Sequence, residues 1–198
     1  MEKIVLATNN FDKVKEIKQE LHGLKIKILT LKDFKKIPKA REDGKTLEEN
    51  AIKKAKQVFK RIGIMSLADD SGLEVEALGG KPGVYSSRFA GSGCTYNDNN
   101  LKLLKLLGDL PVSKRRARFK CVIAIVYSDG TIKTAAGVCN GSISFEAKGN
   151  AGFGYDPVFI PSGFKKTFAQ LGLKTKNRIS HRARAILKAK KILKTLTS

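Results

Sequence analysis

"IMSLADDSGLEVEAL" (residues 64–78) sets two apolar runs on either side of a double carboxylate. Residues 64–68 and 73–78 read as β-strands, and Asp69-Asp70-Ser71-Gly72 reads as the corner between them. Ending a buried strand in two like charges costs free energy unless something cationic meets them. Side chains alternate along extended chain, so Asp69 and Asp70 are not expected to face one ligand together: one binds and the other supports. A hard divalent cation such as Mg²⁺ takes carboxylate oxygen and completes its shell with water and substrate phosphate. The plainer alternative is a pair of aspartates that opens a turn.

Just upstream, "DGKTLEENAIKKAKQVFKRIG" (43–63) carries a helix start in Thr46 with Glu49 three residues on, a capping box. Apolar positions follow at Leu47, Ala51, Ala55, Val58 and Ile62, and Gly63 stops the helix. A second metal-binding carboxylate is sought among Glu42, Asp43, Glu48 and Glu49. The capping box occupies Glu49, others stabilise the helix start through its dipole, and Glu42 in the approach is the freer to reach a metal.

At the N-terminus, residues 3–8 form a β-rich run, and the spacing then changes to Val14, Ile17 and Leu21, one face of a helix. The intervening Thr8, Asn9, Asn10, Phe11, Asp12 and Lys13 make a strand–loop–helix corner. Such a corner offers backbone N–H groups, a positive dipole end and the Lys13 charge to an anion; on the plain reading Asn9 and Asn10 are only turn residues. Residues 25–31 alternate with period two and read as another strand.

Downstream lie a Gly- and Pro-rich loop (79–93) and a helix (97–108) with Leu101, Leu104 and Leu107 at helical spacing. Residues 116–144 are two β-runs joined through Asp129-Gly130, a hairpin signal. In the loop 149–164, "GFGYDP" (152–157) lets backbone approach something flat, against which Phe153 stacks. A last helix (180–196) starts at Ser180 and sets Ile186, Leu187, Ala189, Ile192, Leu193 and Leu196 on a broad apolar side. Lys176, His181 and Arg182, donors suited to carbonyl or phosphate oxygen, lie around its start. Strands and helices in this order predict a mixed α/β fold: a mixed β-sheet flanked by helices.

The chain has 198 residues and 41% hydrophobic content, enough for a real core. It opens without a signal-peptide pattern and has no apolar run near the ~18 residues of a membrane span, so a soluble, cytoplasmic protein without a membrane partner is expected. Cys94, Cys121 and Cys139 are odd in number and widely spaced, which suggests neither a disulfide framework nor a zinc site. The net charge is +21, and no acid follows Asp156. That field favours polyanions, whether nucleic acid, an anionic surface or a phosphate-rich ligand, or it reflects a generally Lys-rich surface.

Read in order, "ATNNFDK", "EDGKTLEENA", "ADDSGLEVEALGGKPGVYSSRFAG", "GFGYDPVF" and "KNRISHRARA" resemble the inosine triphosphate pyrophosphatase family over residues 3–190. The resemblance implies Mg²⁺-dependent hydrolysis of non-standard purine nucleoside triphosphates (ITP, dITP and XTP) to the monophosphate and pyrophosphate. It also implies a homodimer, with residues 1–198 forming one domain of two lobes, a long twisted sheet and a cleft. It gives residues 8–13 to the triphosphate, with Lys13 catalytic. Glu42 and Asp70 go to the metal with Asp69 as a further contributor, and Asp70 is also the base for the attacking water. Ser71 contacts substrate, and Phe153, Gly154, Tyr155, Asp156, Lys176, His181 and Arg182 form the purine and phosphate pocket. Asn9 stands where that family often has Gly, and Gln170 and Thr175 stand where Glu is usual. A nucleic-acid-binding protein would explain the charge without an enzyme. It predicts aromatics interleaved with the basic residues, yet the basic terminal helix has none, and nucleic acid is not required. The nearer rival is a pyrophosphatase of other base preference, distinguished only by the base pocket.

Overall fold

A computed structural model describes residues 1–34, 37–38 and 40–195. Among them six strands form one mixed sheet in the order β2-β1-β3-β4-β5-β6. β1 (Glu2–Leu6) leads through α1 (Phe11–Leu21) to β2 (Ile26–Thr30), and β1 pairs in parallel with both β2 and β3. Parallel neighbours need a crossover, which the amphipathic α1 supplies by burying Ile17 and Leu21. α2 (Leu47–Ile62) follows, with Thr46 accepting the Glu49 N–H at 3.1 Å and Gly63 closing it at φ 72°. The Glu49 carboxylate takes the Lys45 N–H at 2.8 Å, one residue before the position a capping box prescribes.

The stretch that was read as two strands and a corner is one strand. β3 (Ser66–Val75) runs through Asp69, Asp70, Ser71 and Gly72 without interruption and ends in a 3-10 turn, Glu76–Leu78. Gly72 is there for space: a Cβ would collide with the Gly83 carbonyl oxygen, and Gly72 does not take a positive φ. Both carboxylates are met by cations, as described below, so the strand has no need to turn them to solvent.

β4 (Arg116–Val126) and β5 (Ile132–Ile143) are joined at Asp129-Gly130, where Asp129 accepts the Thr131 N–H at 2.8 Å and Gly130 has φ 83°. β6 (Phe159–Pro161) pairs antiparallel with β5; the sequence reading had it inside a loop. α3 (Tyr96–Leu107) buries Asn99, Asn100, Leu103 and Leu107, while Leu101 is exposed, so its buried face is rotated from the one the leucine spacing indicated. The amides explain this: Asn99 Oδ1 accepts the Ala90 N–H at 2.8 Å, which keeps a polar side chain on the inner face.

α4 (Phe168–Ile179) was not anticipated, because Gly172 interrupts it with φ 75° and ψ 166°. α5 (His181–Lys194) starts after Ser180, as expected. Ala185, Ile186, Ala189 and Leu193 are buried, Leu187 is exposed, and Leu196 lies outside the described residues. No helix among the described residues is long and apolar enough to cross a membrane. Cys94, Cys121 and Cys139 are all free, the last two buried.

The chain divides into two compact units. The first comprises Met1–Asp70, Cys121–Gly137 and Arg182–Ser198, and the second Ser71–Lys120 and Val138–His181. In the first, Ile4, Leu6, Ile17, Leu67, Ile123, Ile186 and Leu193 share a core. In the second, Leu73, Leu103, Phe119, Val158, Phe159 and Phe168 do so. Of the four unit boundaries, one falls immediately after Asp70 and one immediately after His181.

Candidate active site

In the first unit, β3 alternation sends the two aspartates to different partners. Asp69, fully buried, takes Lys13 Nζ at 3.0 Å and Arg182 Nε at 3.2 Å, both on Oδ2. Glu16 of α1 holds the other arm of that guanidinium, 2.7 Å from Nη1. Asp70 receives Lys54 Nζ on Oδ1 at 2.7 Å and Asn50 Nδ2 on Oδ2 at 3.3 Å, both from α2. Lys54 also lies 3.5 Å from Glu42 Oε1. The cluster therefore sets three cations against four carboxylates, formally −1 within a strongly basic chain.

Burial and charge act oppositely on the pair. Burial alone would raise Asp69, but Lys13, Arg182 and Lys54 outweigh it and hold its carboxyl well below the ordinary carboxylate range. For Asp70 burial prevails over Lys54 and the proton affinity is raised, in the direction a base requires. Burial opposes the Lys54 charge too, yet Asp70, Asp69 and Glu42 together raise its affinity for the proton, so it stays an ammonium.

The helix start at residues 8–13 is more occupied than its sequence suggested. Asn10 is the N-cap of α1 and accepts the N–H groups of Asp12 and Lys13 at 3.0 and 3.2 Å, and its own N–H donates to Thr8 Oγ1 at 3.2 Å. Two of the N–H groups expected to be open to an anion are thus capped by the chain itself, while Asn9, Phe11 and Asp12 are exposed.

The second unit carries its own buried pair. Lys176 Nζ lies 2.6 Å from Asp156 Oδ2, which also accepts the Phe153 N–H at 2.8 Å, and the ammonium stands 4.3 Å from the Phe153 ring centroid. Gly152 permits this, since a Cβ there would strike the Asp156 carboxylate. His181 stacks on Phe119 with centroids 4.5 Å apart and 12° between planes. Gly154 offers its carbonyl to Asn100 Nδ2 at 3.1 Å, and Tyr155, buried, donates its hydroxyl to the Ser86 carbonyl at 2.9 Å. Tyr155 is thereby committed to the core of this unit. Ser71 is half-buried directly after Asp70.

A model of the Ham1 family matches residues 4–192 of the chain. The chain belongs to the Ham1 family. It is similar to a dITP/XTP pyrophosphatase of Desulforamulus reducens, 50% identical over 98% of this chain and 96% of that one. It is also similar to one of Elusimicrobium minutum, 48% identical over 97% and 100%. Among solved structures, a HAM1 protein from Coxiella burnetii superposes with a TM-score of 0.91 at 40% identity, over 98% of this chain and all of that one.

Of the residues anticipated for this Ham1 chain, Lys13, Asp69 and Arg182 come together, as do Glu42 and Asp70, and as do Phe153, Asp156 and Lys176. Arg182 stands in the first unit and His181 in the second. Sequence reading missed Asn50, Lys54, Glu16 and Phe119. For the first two a signal exists: they interrupt the buried stripe Leu47, Ala51, Ala55 and Val58 four residues apart, where a solvated charge has no place. Gln170 completes a capping box by accepting the Thr167 N–H at 3.0 Å.

Proposed function

We propose that this chain hydrolyses non-standard purine nucleoside triphosphates, dITP, XTP and ITP, to the nucleoside monophosphate and pyrophosphate. The observation that carries the reading is Asp70: a buried carboxylate of raised proton affinity, held on both oxygens by Lys54 and Asn50, in a chain of the Ham1 family. The relatives named dITP/XTP pyrophosphatase cover nearly the whole chain and supply the substrate class.

Glu42 and Asp70 would hold Mg²⁺. Their donor set fits: both are hard oxygen ligands, and they already share one cation, the Lys54 ammonium. Among the described residues no group of three or more His, Cys, Asp or Glu side chains is arranged for a metal, so water and phosphate would complete the shell. The metal, when bound, neutralises phosphate charge. Asp70 orients a water and takes its proton for attack at the α-phosphorus. Lys13, fixed by Asp69, stabilises negative charge gathering on the departing pyrophosphate. Asp69 thus serves by holding Lys13 and Arg182 rather than by binding metal itself.

Base selection is given to the second unit. Phe153 presents a ring for stacking, and His181 and Lys176 are donors suited to the carbonyl at position six of hypoxanthine and xanthine. Adenine carries an amine there, which accepts from neither donor, so the hydrogen bonds to the base are lost. Guanine shares the carbonyl, so its rejection rests on the two-amino group. Arg182, which the sequence offered beside His181 as a donor to that carbonyl, has its side chain taken by Asp69 and Glu16, so we place it on the phosphate side instead. The same reading makes residues 1–198 one catalytic domain of a cytoplasmic homodimer that clears the nucleotide pool.

Product identity tests this. Phosphorus NMR of dITP incubated with the chain and Mg²⁺ in ¹⁸O-water is expected to show dIMP carrying the label and unlabelled pyrophosphate in equal amounts. Deoxyinosine diphosphate with inorganic phosphate, or label in the pyrophosphate, would place the attack elsewhere and overturn the reading.

A further inference from the structure

Lys54 occupies the buried face of α2, an unusual place for a lysine, and the chemistry above gives it no step. Its ammonium contacts the two carboxylates assigned to the metal, at 2.7 Å from Asp70 and 3.5 Å from Glu42. Asn50, one turn earlier, completes the frame. Its Nδ2 donates to the second Asp70 oxygen, and its Oδ1 accepts the Gly44 N–H at 2.8 Å, tying the segment that carries Glu42 to the same helix.

Among the described residues no third ligand joins the two carboxylates, which by themselves make a weak site for a free divalent cation, and a fixed ammonium in contact with both weakens it further by like-charge repulsion. A cation that arrives with a triphosphate meets a different balance. The phosphate oxygens add ligands, and they also give the displaced ammonium a new anionic partner.

We propose that Lys54 is an internal counter-ion of the metal site: it holds Asp70 and Glu42 in place in the metal-free chain, suppresses binding of free divalent cation, and yields to the metal–nucleotide complex. The proposal rests on the assignment of Glu42 and Asp70 to the metal. Lys54 is a positioning residue, and its signature differs from that of a residue needed only for packing. Removing a packing residue weakens binding, whereas removing a competing charge strengthens binding of the bare metal.

The test titrates Mn²⁺ alone, without nucleotide, into the full chain and follows free Mn²⁺ by electron paramagnetic resonance. Wild type, Lys54→Met and Lys54→Arg are compared, with thermal melts to establish folding. Lys54→Met is expected to bind Mn²⁺ about tenfold more tightly or better, since it keeps the length of the side chain and loses the charge. Lys54→Arg keeps the charge and is expected to stay within about twofold of wild type. Unchanged or weaker Mn²⁺ binding by folded Lys54→Met overturns the proposal. Should that variant not fold, the wild-type Lys54 ammonium resonance decides: a shift on adding Mg²⁺ with a non-hydrolysable dITP analogue, beyond that caused by the analogue alone, supports displacement, and no further shift rejects it. Wild-type turnover of dITP, measured alongside, reports on the hydrolase reading separately. An active enzyme with no gain in Lys54→Met loses only the counter-ion.

Discussion

Replacing Asp70 with asparagine is expected to lower kcat for dITP by a factor on the order of 10² to 10⁴ while the fold persists. The amide matches the carboxylate in shape, so its oxygen still accepts from Lys54, and the strand hydrogen bonding of β3 is untouched. What disappears is the acceptor for Asn50 Nδ2 and the negative charge that takes a proton from water and joins Glu42 at the metal. Asp70 is also the aspartate for which burial prevails over the neighbouring cations, so neutralising it removes a cost as well as a contact. Pyrophosphate release and a thermal melt on the same preparation check this. A folded variant with wild-type turnover would contradict the assignment.

The neighbouring substitution, Asp69→Asn, is expected to cost stability, and to slow turnover as well because Lys13 loses the carboxylate that fixes it. Asp69 is buried beneath two cations, and removing one partner from such a cluster costs about 3–5 kcal/mol. Glu16 remains for Arg182, and Lys13, whose side chain keeps 17% exposure, is able to turn toward water, which argues for the lower end. At about 3 kcal/mol, a chain of this size loses roughly 6–12 °C in Tm. The sign with pH follows. The folded carboxyl is held below its ordinary 3.8, so its contribution is present above that value and is lost as the pH falls toward the folded one. The gap in Tm between wild type and variant is therefore expected to narrow below about pH 3.8 and to be constant above it. Two adjacent aspartates with different phenotypes, one in rate alone and one in Tm together with rate, are what the different partners of Asp69 and Asp70 entail.

Much of the first unit is legible from local pattern. The change from a β-rich apolar run to helical spacing after residue 8 announces β1 and α1, Thr46 and Gly63 bracket α2, and Asp129-Gly130 marks the β4–β5 turn. β3 is not legible in the same way, because Asp-Asp-Ser-Gly has the composition of a turn. The groups that let it stay extended are Lys13, Lys54 and Arg182, as distant as residue 182. Local propensity yields here to long-range charge pairing. α4 was missed because Gly172 breaks its period. The exposed Leu101 misled because Asn99 and Asn100, not leucines alone, occupy the inner face. Lys54 was visible only as an interruption of an apolar stripe, and Glu16 had no local signal at all, since its partner lies 166 residues away.

The most direct test of the account compares pyrophosphate release by the purified chain from dITP, XTP and ITP with release from dATP, dGTP, dCTP and dTTP, with Mg²⁺ and again with excess chelator. The account predicts chelator-sensitive release from the three non-standard purines, exceeding that from each standard nucleotide by about 10²-fold or more in kcat/KM. Comparable release from dATP and dITP, or release from none of them, would contradict it.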